Sequence, residues 1–208
     1  MITYFPVRTN IWLAIADVSA LGAVAHPGDR RPVAGRPAWR VREFLAGRDL
    51  LRRLLTVAAP HAADAVVQPD ARGKPWLVGY PEIGISVSHC AEVIAAGVAV
   101  GTALGVDVQQ PDPVVGDGMV RRLLGTNAPL LHGMPPNRAA EEVAWIWTVQ
   151  EACVKADGAG LAGHPWTIPV LPRTCAGRWG RFVWSSLRGR SPIPLSYAFA
   201  AVPTEEEP

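Results

Sequence analysis

Apolar residues along the chain recur now every second position, now at helical spacing, and these changes of period divide it into elements. Ile11 to Ala16 is a short apolar run with the character of a buried strand. Residues 25–38, punctuated by Pro, Gly and Arg, predict a basic loop. From Trp39 to Val57, the residues Val41, Phe44, Leu45, Leu51, Leu54 and Leu55 follow a helical period. Arg residues take the other faces, so an amphipathic helix with a basic side is expected, stopped by Pro60. Ala65 to Gln68 and Trp76 to Val78 read as short strands around the turn Arg72-Gly73-Lys74-Pro75. Ile83, Ile85 and Val87 alternate with Gly84, Ser86 and Ser88, the pattern of a half-buried strand. Val93 to Val100 returns as a fully apolar strand, through a hairpin spanning His89 to Glu92. Leu104 to Gln109 is a further strand, with Asp107 set among apolar neighbours.

Residues 111–137 are rich in Pro and Gly around one short helix, Met119 to Leu124, and predict a mobile surface excursion. A long helix begins near Arg138, with Val143, Ile146, Trp147, Cys153 and Val154 on its apolar side. Gly158 is placed to close it. Strands are expected at Thr167 to Leu171, Arg181 to Leu187 and Leu195 to Val202, followed by a frayed acidic tail, Glu205 to Pro208. The plan of a long helix and several strands therefore occurs twice, without a detectable sequence repeat. The fold class expected is α+β. Its form would be a pseudo-dimer of two similar halves, residues 1–102 and 103–208, each a long helix on a small, mostly antiparallel sheet, with the active site in the seam.

Composition narrows the class. A chain of 208 residues, 49% hydrophobic and 18% charged, has ample material for a core. Its net charge of +2 gives no general signal for nucleic acid. Arg30, Arg31, Arg36, Arg40, Arg42, Arg48, Arg52 and Arg53 are nevertheless concentrated in one segment, which suits a polyanionic ligand or an acidic protein as readily as a solvated helix face. Cys90, Cys153 and Cys175 are odd in number and lack metal-ligand spacing, which fits a reducing, cytoplasmic setting. No signal peptide is expected. The most apolar window, Ile85 to Leu104, is interrupted by His89 and Glu92 and predicts a strand pair, not a membrane span.

The candidate chemistry lies in the long helix. Trp147, Glu151 and Lys155 stand at i, i+4 and i+8, so they share one face. A Glu–Lys pair of this kind is worth only about 0.2–0.5 kcal/mol on any helix surface and proves nothing alone. The choice of cation is more informative. Of the 20 Lys and Arg residues only Lys74 and Lys155 are Lys, in a chain that uses Arg for every other cation. A compact ammonium suits an oxyanion as a point charge. Asp107 in an apolar strand needs either a structural partner or a metal, because a buried carboxylate is otherwise costly. With Glu151 as a second hard oxygen ligand, and phosphate oxygens and water completing the shell, the pair describes a Mg²⁺ site. Lys74, Lys155 and His89 would then hold phosphates, the parts required for phosphoryl-type transfer from a nucleotide-bearing donor.

Several stretches stand in the order and spacing of a known family: Phe44-Leu45-Ala46-Gly47-Arg48, Gly73-Lys74-Pro75, Ser86-Val87-Ser88-His89-Cys90, Gly105-Val106-Asp107-Val108, and Trp147 through Glu151 and Lys155 to Gly158-Ala159-Gly160-Leu161. From about residue 40 to 162 the chain resembles the long, surfactin-synthetase-activating type of 4′-phosphopantetheinyl transferase. The resemblance implies the pseudo-dimeric fold, with coenzyme A in the seam and Mg²⁺ on its pyrophosphate. The activity implied is transfer of the phosphopantetheine arm to a serine of an acyl or peptidyl carrier protein, releasing 3′,5′-ADP, in secondary metabolite biosynthesis. A cytoplasmic monomer, with no nucleic-acid or membrane partner, is expected.

By motif position, Asp107, Glu151 and Gln109 are the expected metal ligands. Glu151, Lys155 and Asp107 are the expected catalytic set, with Glu151 placed to activate the serine hydroxyl. Gly73, Lys74, Pro75, Ser88, His89 and Lys155 are expected to contact coenzyme A, with Arg48, Arg72 and the Arg30/Arg31 loop toward its 3′-phosphate. Residues 111–137 fall where the family meets its carrier. Two departures stand out. Gln109 replaces a Glu found in many relatives, and Gln150 replaces the Lys that precedes Glu151, removing a cation expected beside the pyrophosphate. They keep open an alternative: a degenerate member that binds coenzyme A or a carrier without transferring the arm, or that serves another biosynthetic reaction.

Overall fold

The computed structural model describes residues 1–22, 26–30 and 35–201, without the side chain of Arg30. It is mixed α+β, built on two four-stranded antiparallel sheets and two long helices. In the first sheet β1 (Ile2–Arg8), β2 (Ile11–Asp17), β6 (Val93–Val100) and β5 (Ile83–Cys90) lie side by side in that order. The second runs β7 (Leu104–Val108), β10 (Leu195–Ala200), β9 (Phe182–Ser186) and β8 (Ala176–Trp179). Between α2 (Ala38–Ala58) and β5, the strands β3 (Val67–Pro69) and β4 (Pro75–Leu77) make a small separate hairpin.

Each sheet buries one face under a helix. Leu51, Leu54 and Leu55, part of the helical period of α2, are fully buried together with Leu50 against Ala14, Ile85, Ala96 and Val98. On the second sheet, α4 (Pro136–Asp157) packs Ile146, Val149, Ala152 and Cys153 against Phe182, Trp184 and Ala198. Burial pushes the Cys153 thiol up to about 12, leaving it inert. A third core joins the sheets: Phe5, Ile11, Leu13 and Ile15 meet Leu104, Val106, Leu195 and Tyr197. Arg8 reaches across the same junction and lies over the Phe199 ring, 4.5 Å from its centroid.

The edges of the sheets are stitched by side chains. β5 and β7 lie against each other, but side-chain atoms take the place that carbonyls hold in a ladder. The N–H groups of Val106, Val108 and Gln110 donate to Ser86 Oγ, Ser88 Oγ and Cys90 Sγ at 2.9, 3.4 and 3.3 Å. Residues 86, 88 and 90 share one face of β5 because a strand has a period of two. Behind β7, α4 approaches so closely that a Cβ on Gly105 would collide with the backbone at Ala152 and Ala156. This contact sets the helix directly over Asp107.

Several expectations change. β1 was not expected: its edge position buries only Phe5 fully, so its sequence shows little alternation. The basic loop contains a short helix, α1 (Pro27–Arg30), whereas Arg31 and residues 202–208, including the acidic tail, lie outside the described residues. The basic side of α2 is not all solvated. Arg48 is buried, and Arg52 turns inward to Asp29. Thr167 to Leu171 is no strand: after a 3₁₀ turn at Pro165–Thr167 it only anchors Ile168 and Val170 in the core. Residues 111–137, expected as a mobile excursion, hold α3 (Asp117–Leu124) and a 3₁₀ run, Gly125–Leu131, pinned by the buried Leu123, Leu124 and Leu131. The apolar window Ile85 to Leu104 is the β5–β6 hairpin and the start of β7. Among the described residues no helix is long and apolar enough to cross a membrane.

Candidate functional site

Asp107, 5% exposed, is the last residue but one of β7 and faces the junction of the two sheets. Its Oδ1 accepts the Ser88 hydroxyl at 2.6 Å and the Lys155 ammonium at 2.6 Å. Lys155 also donates to Ser88 Oγ at 3.0 Å, which closes a triangle from β7, β5 and α4. Ser88 is therefore turned onto Asp107 and buried, with its proton committed there. One helical turn before Lys155 stands Glu151. Burial, then the like charge of Asp107, pushes its carboxyl above the ordinary value, and Lys155 partly offsets this. Glu151 Oε1 is buried and finds no hydrogen-bond partner among the described residues.

A buried carboxylate oxygen without a donor, facing a second carboxylate, fits a cation better than a purely structural pair. Among the described residues no three His, Cys, Asp or Glu side chains gather as a metal cage. A hard cation held by Asp107 and Glu151 would take its other ligands from an amide, water or phosphate oxygens, as Mg²⁺ does. Gln109, two residues after Asp107, is just past the end of β7, and its amide donates to the Gln110 carbonyl at 3.0 Å.

Two connected hollows open beside this cluster. The smaller, about 200 Å³, is lined by Arg72, Gly73, Lys74, Pro75, Val87 and Lys155, with Gly158 and Gly160 beyond the end of α4. The turn between β3 and β4 shapes it: Asp70 accepts the N–H groups of Arg72 and Lys74, and Gly73 takes the left-handed φ of 87°. Lys74 reaches to the Ala156 carbonyl, where a cation complements the negative end of the helix. Burial pushes its ammonium below the ordinary lysine value. The larger hollow, about 560 Å³, shares Gly73, Pro75 and Val87 with the first. Its cations are Arg36, Arg40 and Arg48, and His89 stands exposed at its wall. Trp39 and Ile94, outside the motifs, add an apolar lining beside Phe44.

Thus Asp107, Ser88 and Lys155 touch one another, with Glu151 beside them. Gly73, Lys74, Pro75 and Arg72 line the adjoining hollow, and Arg48 and His89 the next. Gln150 lies elsewhere. It is 0% exposed, and its Nε2 donates to the carbonyls of Leu123 at 3.0 Å and Ile168 at 2.9 Å. Neighbouring helix residues point about 100° apart, so the side chain after Val149 enters the core while Glu151 comes near Asp107. The idea that Gln150 removes a cation beside the phosphates is therefore corrected: it ties α3 to α4. Ser86, whose hydroxyl holds the Val106 N–H, was missed as a positioning residue, although its period-two spacing from Ser88 was visible. No family model and no curated protein matches the sequence.

Proposed function

We propose that this chain transfers the 4′-phosphopantetheine arm of coenzyme A to a serine hydroxyl of an acyl or peptidyl carrier protein. The observation that carries the reading is the cluster of Asp107, Glu151, Lys155 and Ser88, with one carboxylate oxygen unmatched and with Lys155 lining a hollow alongside Lys74 and Arg72. Its fold-level part is a pseudo-dimer of residues 1–102 and 103–208 with the site in the seam. Support for it comes from two four-stranded antiparallel sheets, each carrying one long helix. The motifs shared with the phosphopantetheinyl transferases point the same way.

In this reading Asp107 and Glu151 hold Mg²⁺, with Gln109 near enough in sequence to add an amide oxygen. The ion, when bound, supplies charge neutralisation on the pyrophosphate. Lys155 and Lys74 face the same hollow and steady the phosphate oxygens. Arg48, His89 and the apolar wall of the larger hollow receive the nucleotide end. The serine oxygen bonds to the phosphorus bearing the pantetheine arm. The bond from that phosphorus to the bridging oxygen breaks, and the oxygen leaves with 3′,5′-ADP. Glu151, an ionised carboxylate whose proton affinity burial and Asp107 raise above the ordinary value, takes the serine proton.

A second reading, binding of coenzyme A or a carrier without transfer, draws on Gln109, whose amide is turned to the Gln110 carbonyl. Incubation with apo-carrier protein, coenzyme A and Mg²⁺, followed by intact mass spectrometry, separates the two. A gain of one phosphopantetheine arm is expected. Tight coenzyme A binding without any gain on several carrier types sinks the transferase reading.

A further inference from the structure

One carboxylate oxygen has room for two hydrogen bonds, and Asp107 Oδ1 already has both. Ser88 donates one at 2.6 Å and Lys155 the other at 2.6 Å. The two donors differ in freedom. Ser88 is 4% exposed and also accepts from Val108 N–H and from Lys155, so its hydroxyl is fixed within the stitch between the sheets. Lys155 is on a long side chain that is 27% exposed and lines the 200 Å³ hollow together with Lys74 and Arg72. Its ammonium thus has Asp107 on one side and that hollow on the other.

The charges make this movement consequential. Asp107 and Glu151 together carry two negative charges and Lys155 returns one, at contact distance. A divalent cation approaching Asp107 meets a like charge where the ammonium rests. An anion in the hollow attracts the same ammonium from the other side, reinforced by Lys74 and Arg72. We propose that Lys155 is a resident counter-ion that a divalent cation displaces from Asp107 only when an anion draws it away, so that cation and phosphate-bearing ligand load together. The proposal rests on the transferase reading for the identity of the ligands, and adds an order of assembly to it.

Direct Mn²⁺ binding, followed by electron paramagnetic resonance without coenzyme A or carrier, provides the test. Wild type, Lys155→Met and Asp107→Asn are compared, first with the ion alone and then with inorganic pyrophosphate. The Asp107→Asn protein corrects for chelation by pyrophosphate itself. With the ion alone, Lys155→Met is expected to bind at least tenfold more tightly than wild type, and the gain should vanish when Asp107→Asn is added. Pyrophosphate should raise the affinity of wild type well above its effect on Lys155→Met. Equal affinities of wild type and Lys155→Met for Mn²⁺ alone overturn the proposal. Should Lys155→Met fail to melt cooperatively, Lys155→Gln takes its place. The wild type also gives an answer by itself, because no enhancement beyond that of the Asp107→Asn control is an overturning result. If carriers gain the arm while these affinities are equal, the counter-ion proposal fails and the transferase reading stands.

Discussion

Two buried carboxylate clusters in this molecule are built to different degrees of completion. Asp29, 1% exposed, receives Arg52 through Nε at 3.0 Å and Nη2 at 3.3 Å. Arg52 Nη1 then donates to the carbonyls of Ala63 and Ala65, and Arg48 adds a second positive charge 3.8 Å from Asp29. Everything this cluster requires is supplied by the chain, and its effect is to fasten α1 to α2. At Asp107 the chain supplies one lysine and one hydroxyl for two carboxylates, and leaves Glu151 Oε1 without a donor. Gln150 Oε1 is also buried without a partner, but an unmatched carboxylate oxygen beside a second carboxylate is costlier than a neutral amide oxygen. Similar residues thus serve cohesion in one place and, in the proposed reading, stand open to a ligand in the other.

The contrast breaks if the closed cluster proves dispensable. Asp29→Ala leaves the buried Arg48 and the half-buried Arg52 without their counter-charge and is expected to cost about 3 kcal/mol in urea unfolding. A loss below about 1 kcal/mol would mean that the cluster is not a fastening. Gln150→Lys tests the neighbour of Glu151 that belongs to the core. An ammonium placed between Leu123 and Ile168 should cost on the order of 2–3 kcal/mol, with no gain in transfer rate. An accelerated, stable variant would return position 150 to the phosphate site. At the open cluster the balance should invert. Asp107→Asn can still accept from Ser88 and Lys155, so about 1 kcal/mol or less is expected from unfolding, against loss of detectable transfer by intact mass.

Much of the frame was legible because periodicity reports burial. The buried Leu residues of α2 and the Gly158 stop of α4, with its left-handed φ of 80°, appear where the pattern places them, and β5 is a strand as expected, although its Ser86 and Ser88 face is buried rather than solvated. Edge elements were not: β1 and β8 bury too little to alternate strongly, and Ile168 and Val170 are buried without pairing into a sheet. At the candidate site, residue types identified Asp107, Glu151 and Lys155, but sequence carries no record of which side chains satisfy one another. That Ser88 spends its proton on Asp107, that Lys74 sits on the end of α4 and that Gln150 turns inward follow from the packing of β7 against α4 at Gly105.

The openness of the second cluster is tested most directly by Glu151→Gln, measured for both stability and transfer. In the folded protein, burial and Asp107 hold the Glu151 carboxyl above its ordinary value of 4.5, so the fold binds that proton more tightly than the unfolded chain. Ionising Glu151 therefore costs stability above the raised value, and the cost disappears below the unfolded one. The neutral amide avoids it. Without metal at pH 7, Glu151→Gln is expected to be more stable than wild type, a difference that closes as the pH falls through the ordinary carboxyl value of the unfolded chain. The same protein should add no phosphopantetheine to an apo-carrier. A variant that is less stable than wild type at pH 7, or that loads the carrier at the wild-type rate, contradicts the assignment of Glu151 to an open, ligand-binding cluster.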